Sequence, residues 1–124
     1  WFVDQYDEAL EEAREKGKPL FIDFTGVYCA NCRVMETRVF PQDEVEEQFN
    51  RMVLTKLYVD KKDSLSEVYK KMQFERYNQA TQPYYVILDP FDESTLADTG
   101  GYIPNGFSEF LKKGNNKFYN KEIE

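Results

Sequence analysis

Histidine is absent from the 124 residues. That removes imidazole acid–base catalysis, and with it the serine–histidine and cysteine–histidine nucleophile arrangements. Cysteine occurs only at positions 29 and 32. One chain therefore cannot complete a four-ligand cysteine/histidine zinc site; two chains would have to bridge their pairs through the metal. No apolar run approaches the length needed to span a bilayer, so no membrane insertion is expected. Basic residues are outnumbered, 16 Lys and Arg against 23 Asp and Glu, for a net charge of −7. That balance argues against nucleic acid or an anionic membrane as a partner. Trp1 leads directly into polar sequence, with no pattern of a secretory signal.

The composition that remains is globular: 41% apolar, with nine Tyr and ten Phe. The length suits one domain over residues 1–124 with one core. No repeat, low-complexity stretch or second domain is visible.

The two cysteines lie three residues apart in Tyr28-Cys29-Ala30-Asn31-Cys32, after the apolar run Pro19-Leu20-Phe21-Ile22-Asp23-Phe24. Strand, short loop, then a cysteine pair opening a helix is the order of a redox site. A thiolate attacks a disulfide, and a nearby second thiol then releases the mixed disulfide. Cys29 at the first turn would sit among free N–H groups and the positive end of the helix dipole, which favour its thiolate. Cys32, one turn deeper, would be the resolving thiol. Glu36 follows Cys32 by four residues and shares a helical face with both cysteines. The competing readings are a structural disulfide, which would stabilise weakly across so short a loop, and two inert core cysteines.

Asp23 is the one charge in an apolar strand, six residues before Cys29. Burial there would raise its pKa and let it take the proton from Cys32. Alternatively it reaches solvent at the strand end, or pairs with a lysine and only stabilises.

The stretch Asp23 to Cys32, with Lys18-Pro19 before it and Arg33-Val34-Met35-Glu36 after it, resembles the active-site segment of thioredoxins. It more closely resembles the C-terminal periplasmic domain of the thiol:disulfide interchange protein DsbD. Ala80-Thr81-Gln82-Pro83-Tyr84-Tyr85-Val86-Ile87-Leu88-Asp89 resembles the family's cis-proline loop and following strand, and Gly101-Tyr102 also fits. The resemblance covers about residues 17–114. It implies a cis Pro83 that shapes a docking surface beside Cys29, with Tyr28 and Gln82 as rim contacts. It implies no cofactor beyond a redox-active Cys29–Cys32 disulfide. It also implies a fragment of a longer periplasmic protein, taking electrons from a membrane-embedded partner domain and passing them to other thiol/disulfide proteins. The sequence departs from common thioredoxins in its Ala-Asn dipeptide, in Tyr28 where they have tryptophan, and in Gln82. Lys56-Leu57-Tyr58-Val59-Asp60 resembles the strand whose lysine neighbours the buried aspartate, so Lys56 is either the partner of Asp23 or an exposed strand lysine.

In chain order, residues 4–16 read as a helix, with Tyr6, Ala9, Leu10 and Ala13 on one face, Asp4 as N-cap and Gly17 as stop. Pro19 to Phe24 reads as a strand, and Cys29 to about Val39 as the active-site helix, ended by Pro41. Asp43 to Phe49 is helical and Met52 to Val59 a strand. Ser64 is expected to cap a helix whose core stripe is Leu65, Val68, Tyr69 and Met72. Gln73 to Thr81 reads as a polar and aromatic connection. Tyr84 to Leu88 and Leu96 to Thr99 form an antiparallel pair, and Gly100-Gly101 lets the chain pass near the site. The last helix carries Phe107, Phe110 and Leu111 and ends near Gly114. The tail holds Phe118, Tyr119 and Ile123 as packing or frayed residues. This order predicts an α/β thioredoxin fold, a mixed sheet with helices on both faces.

The function expected is a disulfide reductase or electron relay acting as a monomer. Asp23 and Glu36 would tune both thiols and move protons, and by raising the thiol pKa values they favour a reductase over an oxidase. The alternatives are a free-standing thioredoxin, cytoplasmic rather than periplasmic, a disulfide isomerase, or a non-catalytic binding module of the same fold.

Overall fold

A computed structural model describes residues 1–120. Its described residues form one five-stranded sheet, in the order β1-β3-β2-β4-β5. The strands are β1 (Phe2–Val3), β2 (Leu20–Thr25), β3 (Val53–Tyr58), β4 (Tyr84–Leu88) and β5 (Thr95–Gly100). The helices are α1 (Tyr6–Lys16), α2 (Ala30–Val34), α3 (Asp43–Phe49), α4 (Ser64–Tyr77) and α5 (Phe107–Tyr119). A π-helical segment, Met35–Val39, continues α2. β3 runs parallel to β1 and β2, while β4 is antiparallel to β2 and β5. The sheet is therefore mixed, as the element order predicts.

β2 is central and all six of its residues are buried. A strand covered on both faces reads as a continuous apolar run, so the one charge in it stands out. Leu20, Ile22 and Phe24 point to the layer holding Tyr6, Ala9, Leu10 and Ala13 of α1 and Tyr69 of α4. Phe21 points to the opposite layer, with Met35, Val39, Phe40, Phe49, Tyr85, Ile87, Phe107 and Leu111. By the alternation of a strand, Asp23 and Thr25 belong to this second face, the one covered by the helix that follows the cysteines.

Several expectations need correction. β1 was not foreseen, since two residues carry no periodicity. It pulls Asp4 onto β3, where Asp4 donates its N–H to Lys56 O at 2.8 Å and its carboxylate accepts from Tyr58 N at 2.9 Å. Asp4 is thus not the N-cap of α1; Gln5 holds that position without a side-chain bond. Gly17 does stop α1, in the left-handed conformation. Asp63, not Ser64, caps α4, accepting from Ser66 N at 2.8 Å.

The stripe on α4 is also different. Leu65 and Val68 are 42% and 55% exposed, while Ser66, Tyr69 and Gln73 face inward. The reason is unmet backbone carbonyls at the end of β3 and in the loop before β4. Ser66 Oγ donates to Tyr58 O at 2.7 Å, and Gln73 Nε2 donates to Thr81 O at 2.8 Å. Buried carbonyls need donors, and these two side chains supply them. Much of the connection expected over 73–81 is helix, ending at Asn78 in the left-handed region.

α5 continues past Gly114, which is not a stop. A Cβ there would lie 2.5 Å from Ile87 Cδ1, so the glycine lets α5 approach the sheet. Asn115 then anchors the helix, its Nδ2 donating to Gln48 O at 3.1 Å, and Tyr119 Oη donates to Arg51 O at 2.7 Å. Ile123 lies outside the described residues. Gly100 does pass close to Pro83 O, as its sequence position suggests.

Candidate active site

β2 ends at Thr25, and the chain turns through Gly26, Val27 and Tyr28 into Cys29. Asp60, just after β3, holds this turn: its carboxylate accepts from Val27 N at 2.9 Å and Tyr28 N at 3.2 Å. A Cβ on Gly26 would meet Gln82 Oε1 and Asp60 Oδ2, so both side chains would have to shift to admit one. Cys29 is the N-cap of α2, and its Sγ accepts from Cys32 N at 3.1 Å. The two cysteines form a disulfide, with Cα atoms 5.2 Å apart. Cys29 is half-buried and Cys32 is fully buried, the asymmetry expected of an attacking and a resolving thiol.

The helix does not run regularly to Val39. After Val34 it widens into a π turn, closed by Phe40 N donating to Met35 O at 2.9 Å. A π turn inserts a residue and re-aims the side chains around it. Glu36, within it, is directed at the sheet. It contacts Arg33 Nε at 2.7 Å and Lys56 Nζ at 3.1 Å. Arg33 Nη2 also donates to Thr25 Oγ1 at 3.1 Å. The cluster is reached from outside through a cleft of about 420 Å³, which Trp1, Glu36, Phe40 and Lys56 help to line. Lys56 sits over the Trp1 ring at 4.8 Å.

Asp23 is 1% exposed, and its Oδ1 has no hydrogen-bond partner among the described residues. Burial pushes its pKa up to about 8, and the charge on Glu36 adds to this, against Lys56 and Arg33. Both competing readings of Asp23 are corrected: it does not reach solvent, and Lys56, although its register neighbour on β3, bonds Glu36 instead. The two carboxylates expected near the thiols differ in their partners. Glu36 has two cations on it, and burial raises the Asp23 pKa to about 8, so this carboxyl can both hold and accept a proton around neutral pH. The polar groups under the helix are therefore a paired carboxylate and an unpaired, protonatable one.

The peptide bond between Gln82 and Pro83 is cis. Gln82 lies against Gly26, and Pro83 O accepts from Gly101 N at 2.8 Å. Tyr28 is 89% exposed beside Cys29, with Val27 also on the surface. Sequence reasoning did not single out Asp60 or Tyr85. Asp60 carries no local signal, since its partners are backbone amides more than thirty residues earlier.

The thioredoxin-like family model matches residues 1–90. The chain belongs to the thioredoxin-like family. This thioredoxin-like domain is 27% identical over 111 residues to a thiol:disulfide interchange protein, DsbD 1, of Pseudomonas aeruginosa, covering 88% of this chain and 18% of that protein. It is 32% identical over 68 residues to an H-type thioredoxin of Fagopyrum esculentum, covering 55% of this chain and 56% of that one. The chain thus spans less than two thirds of these relatives' length. Among solved structures, the reduced C-terminal domain of Neisseria meningitidis DsbD superposes with a TM-score of 0.70 at 18% identity, over 88% of this chain and 93% of that one. A thioredoxin from Thermus thermophilus gives 0.69 at 26% identity, over 91% and 83%. The domain has a thioredoxin-like fold with two cysteines three residues apart at the start of α2. Among the described residues no group of three or more His, Cys, Asp or Glu is placed to hold a metal ion. No described helix is long and apolar enough to cross a membrane.

Proposed function

We propose that this domain is a dithiol–disulfide reductase that relays electrons in the manner of the DsbD C-terminal domain. The observation that carries the reading is the buried, protonatable Asp23 on the sheet face beneath the Cys32 helix. Cys29 is the nucleophile. It attacks a substrate disulfide, forming a mixed disulfide and releasing one substrate thiolate. Cys32 then attacks Cys29 Sγ, the internal disulfide forms, and the second substrate sulfur leaves as a thiolate. Asp23 takes the Cys32 proton in that step. A base under the resolving thiol serves release of the mixed disulfide, the event that completes reduction. Glu36, held by Arg33 and Lys56, tunes Asp23 rather than moving protons itself. Tyr28, Gln82 and Pro83 form the rim that an extended substrate segment would meet.

Partners would be other thiol/disulfide proteins, with a membrane-embedded donor domain and a periplasmic location following from the DsbD likeness. The H-type thioredoxin likeness supports a second reading, a free-standing cytoplasmic thioredoxin. The chemistry is common to both; the donor differs.

The test is the reduction potential of the Cys29/Cys32 pair, equilibrated against a thiol–disulfide buffer. A value below about −220 mV supports a reductase, and one above about −180 mV means an isomerase or oxidase. If no reversible disulfide forms, the domain is a binding module and the redox reading is wrong.

A further inference from the structure

β4 places Tyr85 directly opposite Asp23 of β2 in the antiparallel register. Opposed residues share a sheet face, with Cβ atoms about 4.5–5.5 Å apart. Tyr85 is fully buried, its ring stacked on Phe21 at 5.6 Å and edge-on to Phe107 at 5.1 Å and Phe40 at 6.0 Å. A phenylalanine would complete that aromatic box equally well. The hydroxyl is the anomaly: it is buried and has no hydrogen-bond partner among the described residues. Other tyrosines do find partners. Tyr84 Oη donates to Asp98, Tyr6 Oη to Glu93 and Tyr119 Oη to Arg51 O.

The Asp23 Oδ1 is in the same condition, an acceptor with no donor. The groups facing Asp23 are Glu36 from the π turn, Arg33 from α2, Lys56 from β3 and Tyr85 from β4. Arg33 and Lys56 are both committed to Glu36. Arg33 Nε lies 2.7 Å from Glu36 Oε2 without a well-aligned hydrogen bond, whereas the phenol has no acceptor at all among the described residues; it is not bonded to the Asp23 carboxyl in this structure, so that bond would have to form when Asp23 ionises. Burial, Asp23 and Glu36 together push the Tyr85 phenol up, so it stays a neutral O–H donor through the working pH range.

We propose that the Tyr85 hydroxyl donates to the Asp23 carboxylate when Asp23 is ionised, making Tyr85 a positioning residue for the proton acceptor beneath Cys32. The inference rests on the role proposed above for Asp23. Before release of the mixed disulfide Asp23 must be a carboxylate, since it has to accept the Cys32 proton. A hydrogen bond to an ionised acceptor is stronger than one to a neutral acceptor, so the Tyr85 bond favours the carboxylate. It also holds the carboxylate in one orientation under the Cys32 turn. When the Cys32 proton arrives, Asp23 becomes a neutral acid and the bond weakens. Electrons move only between sulfurs; Tyr85 neither gains nor loses a proton.

The experiment is a carbon-13 titration of the Asp23 carboxyl in the full, reduced chain, comparing wild type with Tyr85→Phe. Without the hydroxyl the carboxylate loses its donor, so the Asp23 midpoint should rise by about one pH unit, a tenfold gain in proton affinity. Release of a preformed mixed disulfide should slow in parallel near neutral pH and recover at higher pH. In an Asp23→Asn background the same Tyr85→Phe change should leave the release rate unaltered, which a packing role would not predict. In the wild type, with no substitution, the Tyr85 Cζ resonance should step at the pH where Asp23 titrates. An unmoved Asp23 midpoint in Tyr85→Phe, or a Tyr85 resonance blind to Asp23, overturns the proposal. A moved midpoint with an unchanged release profile leaves the Tyr85–Asp23 bond standing and refutes the proton-acceptor role of Asp23 instead.

Discussion

Two clusters of ionisable side chains sit on opposite layers of the sheet, and they are satisfied to different degrees. Away from the cysteines, Tyr6 Oη donates to Glu93 at 2.7 Å and accepts from Arg76 at 3.0 Å, while Arg76 meets Glu93 at 3.2 Å. Arg14 adds a bond from Nε to Pro90 O at 2.7 Å. Every member has an opposite charge or a hydrogen bond, and the cluster ties α1 and α4 to the turn before β5. Near the cysteines, Glu36 is equally well paired, yet Asp23 is left with a bare oxygen. A buried carboxylate without partners costs stability, and proteins keep such groups where chemistry needs a proton at neutral pH. The contrast separates a cluster that holds the fold from one that serves the cysteines.

Breaking the second cluster at its sulfur end should have the largest effect. Cys29→Ser should reduce disulfide exchange to background, and Cys32→Ser should trap a mixed disulfide with substrate, visible by non-reducing electrophoresis. Failure of Cys29→Ser to abolish exchange would refute the assignment of Cys29 as nucleophile.

Asp23→Asn comes next, with opposite effects on rate and stability. Release of the mixed disulfide should slow about 100-fold near neutral pH, the usual scale for a lost general base. Stability should rise near neutral pH, because the amide needs neither to bury a charge nor to take up a proton on folding. The sign follows from proton linkage. The folded-state pKa of Asp23 is about 8, above the unfolded value, so the folded protein binds the extra proton. Its contribution is fully present below the unfolded carboxyl pKa of about 4 and is lost as pH rises to about 8. Wild type should therefore weaken across that window in denaturant titrations, by an amount on the order of a few kcal/mol. Asp23→Asn should lack that component. A flat wild-type profile would show that Asp23 is not a buried acid.

The first cluster should respond in the reverse pattern. Arg76→Ala or Tyr6→Phe should cost about 1 kcal/mol in denaturant unfolding and leave exchange rates unchanged. Glu93 is held below its ordinary pKa, first by the Tyr6 hydrogen bond. Its contribution is present above the unfolded carboxyl pKa and is lost as pH falls through the lower folded value, the opposite sense to Asp23. Loss of exchange in either variant would erase the distinction between the clusters. The smallest effect on stability belongs to Tyr28→Ala, within about 0.5 kcal/mol because the side chain is exposed. Its expected signature is a raised KM for protein disulfides with little change for a small disulfide, measured by steady-state kinetics.

Much of this contrast was legible before the fold was known. Cys29, Cys32 and Asp23 are conspicuous because each breaks its surroundings: a pair at helical spacing, and a charge in a buried strand. β2, α3 and β4 were readable for the same reason, since their apolar patterns are local. Asp4, Ser64 and Leu65 were misread because their roles depend on which backbone groups lie nearby. β1 claims Asp4, and the carbonyls of Tyr58 and Thr81 claim Ser66 and Gln73. Gly114 was misread as a stop because a glycine looks the same whether it ends a helix or lets one approach a sheet. The family resemblance offered Lys56 as a neighbour of Asp23, and the β2–β3 register pairs them, but the π turn brought Glu36 within its reach.

The chain's own pattern decides the identities that chemistry requires: a cysteine pair after a strand, a carboxyl in that strand, a proline opening the strand beside it. These are local facts, carried by spacing and by the periodicity of apolar residues. Only tertiary structure decides which of the carboxyls is left alone. Glu36 and Asp23 differ in whether Arg33 and Lys56 reach them, and that depends on a π turn and on the pairing of β2 with β3. Partners that come from distant strands leave no mark in the residues next to them, so the pairing of Arg33 and Lys56 with Glu36 rather than Asp23, and the unpaired hydroxyl of Tyr85, emerge only from the folded arrangement.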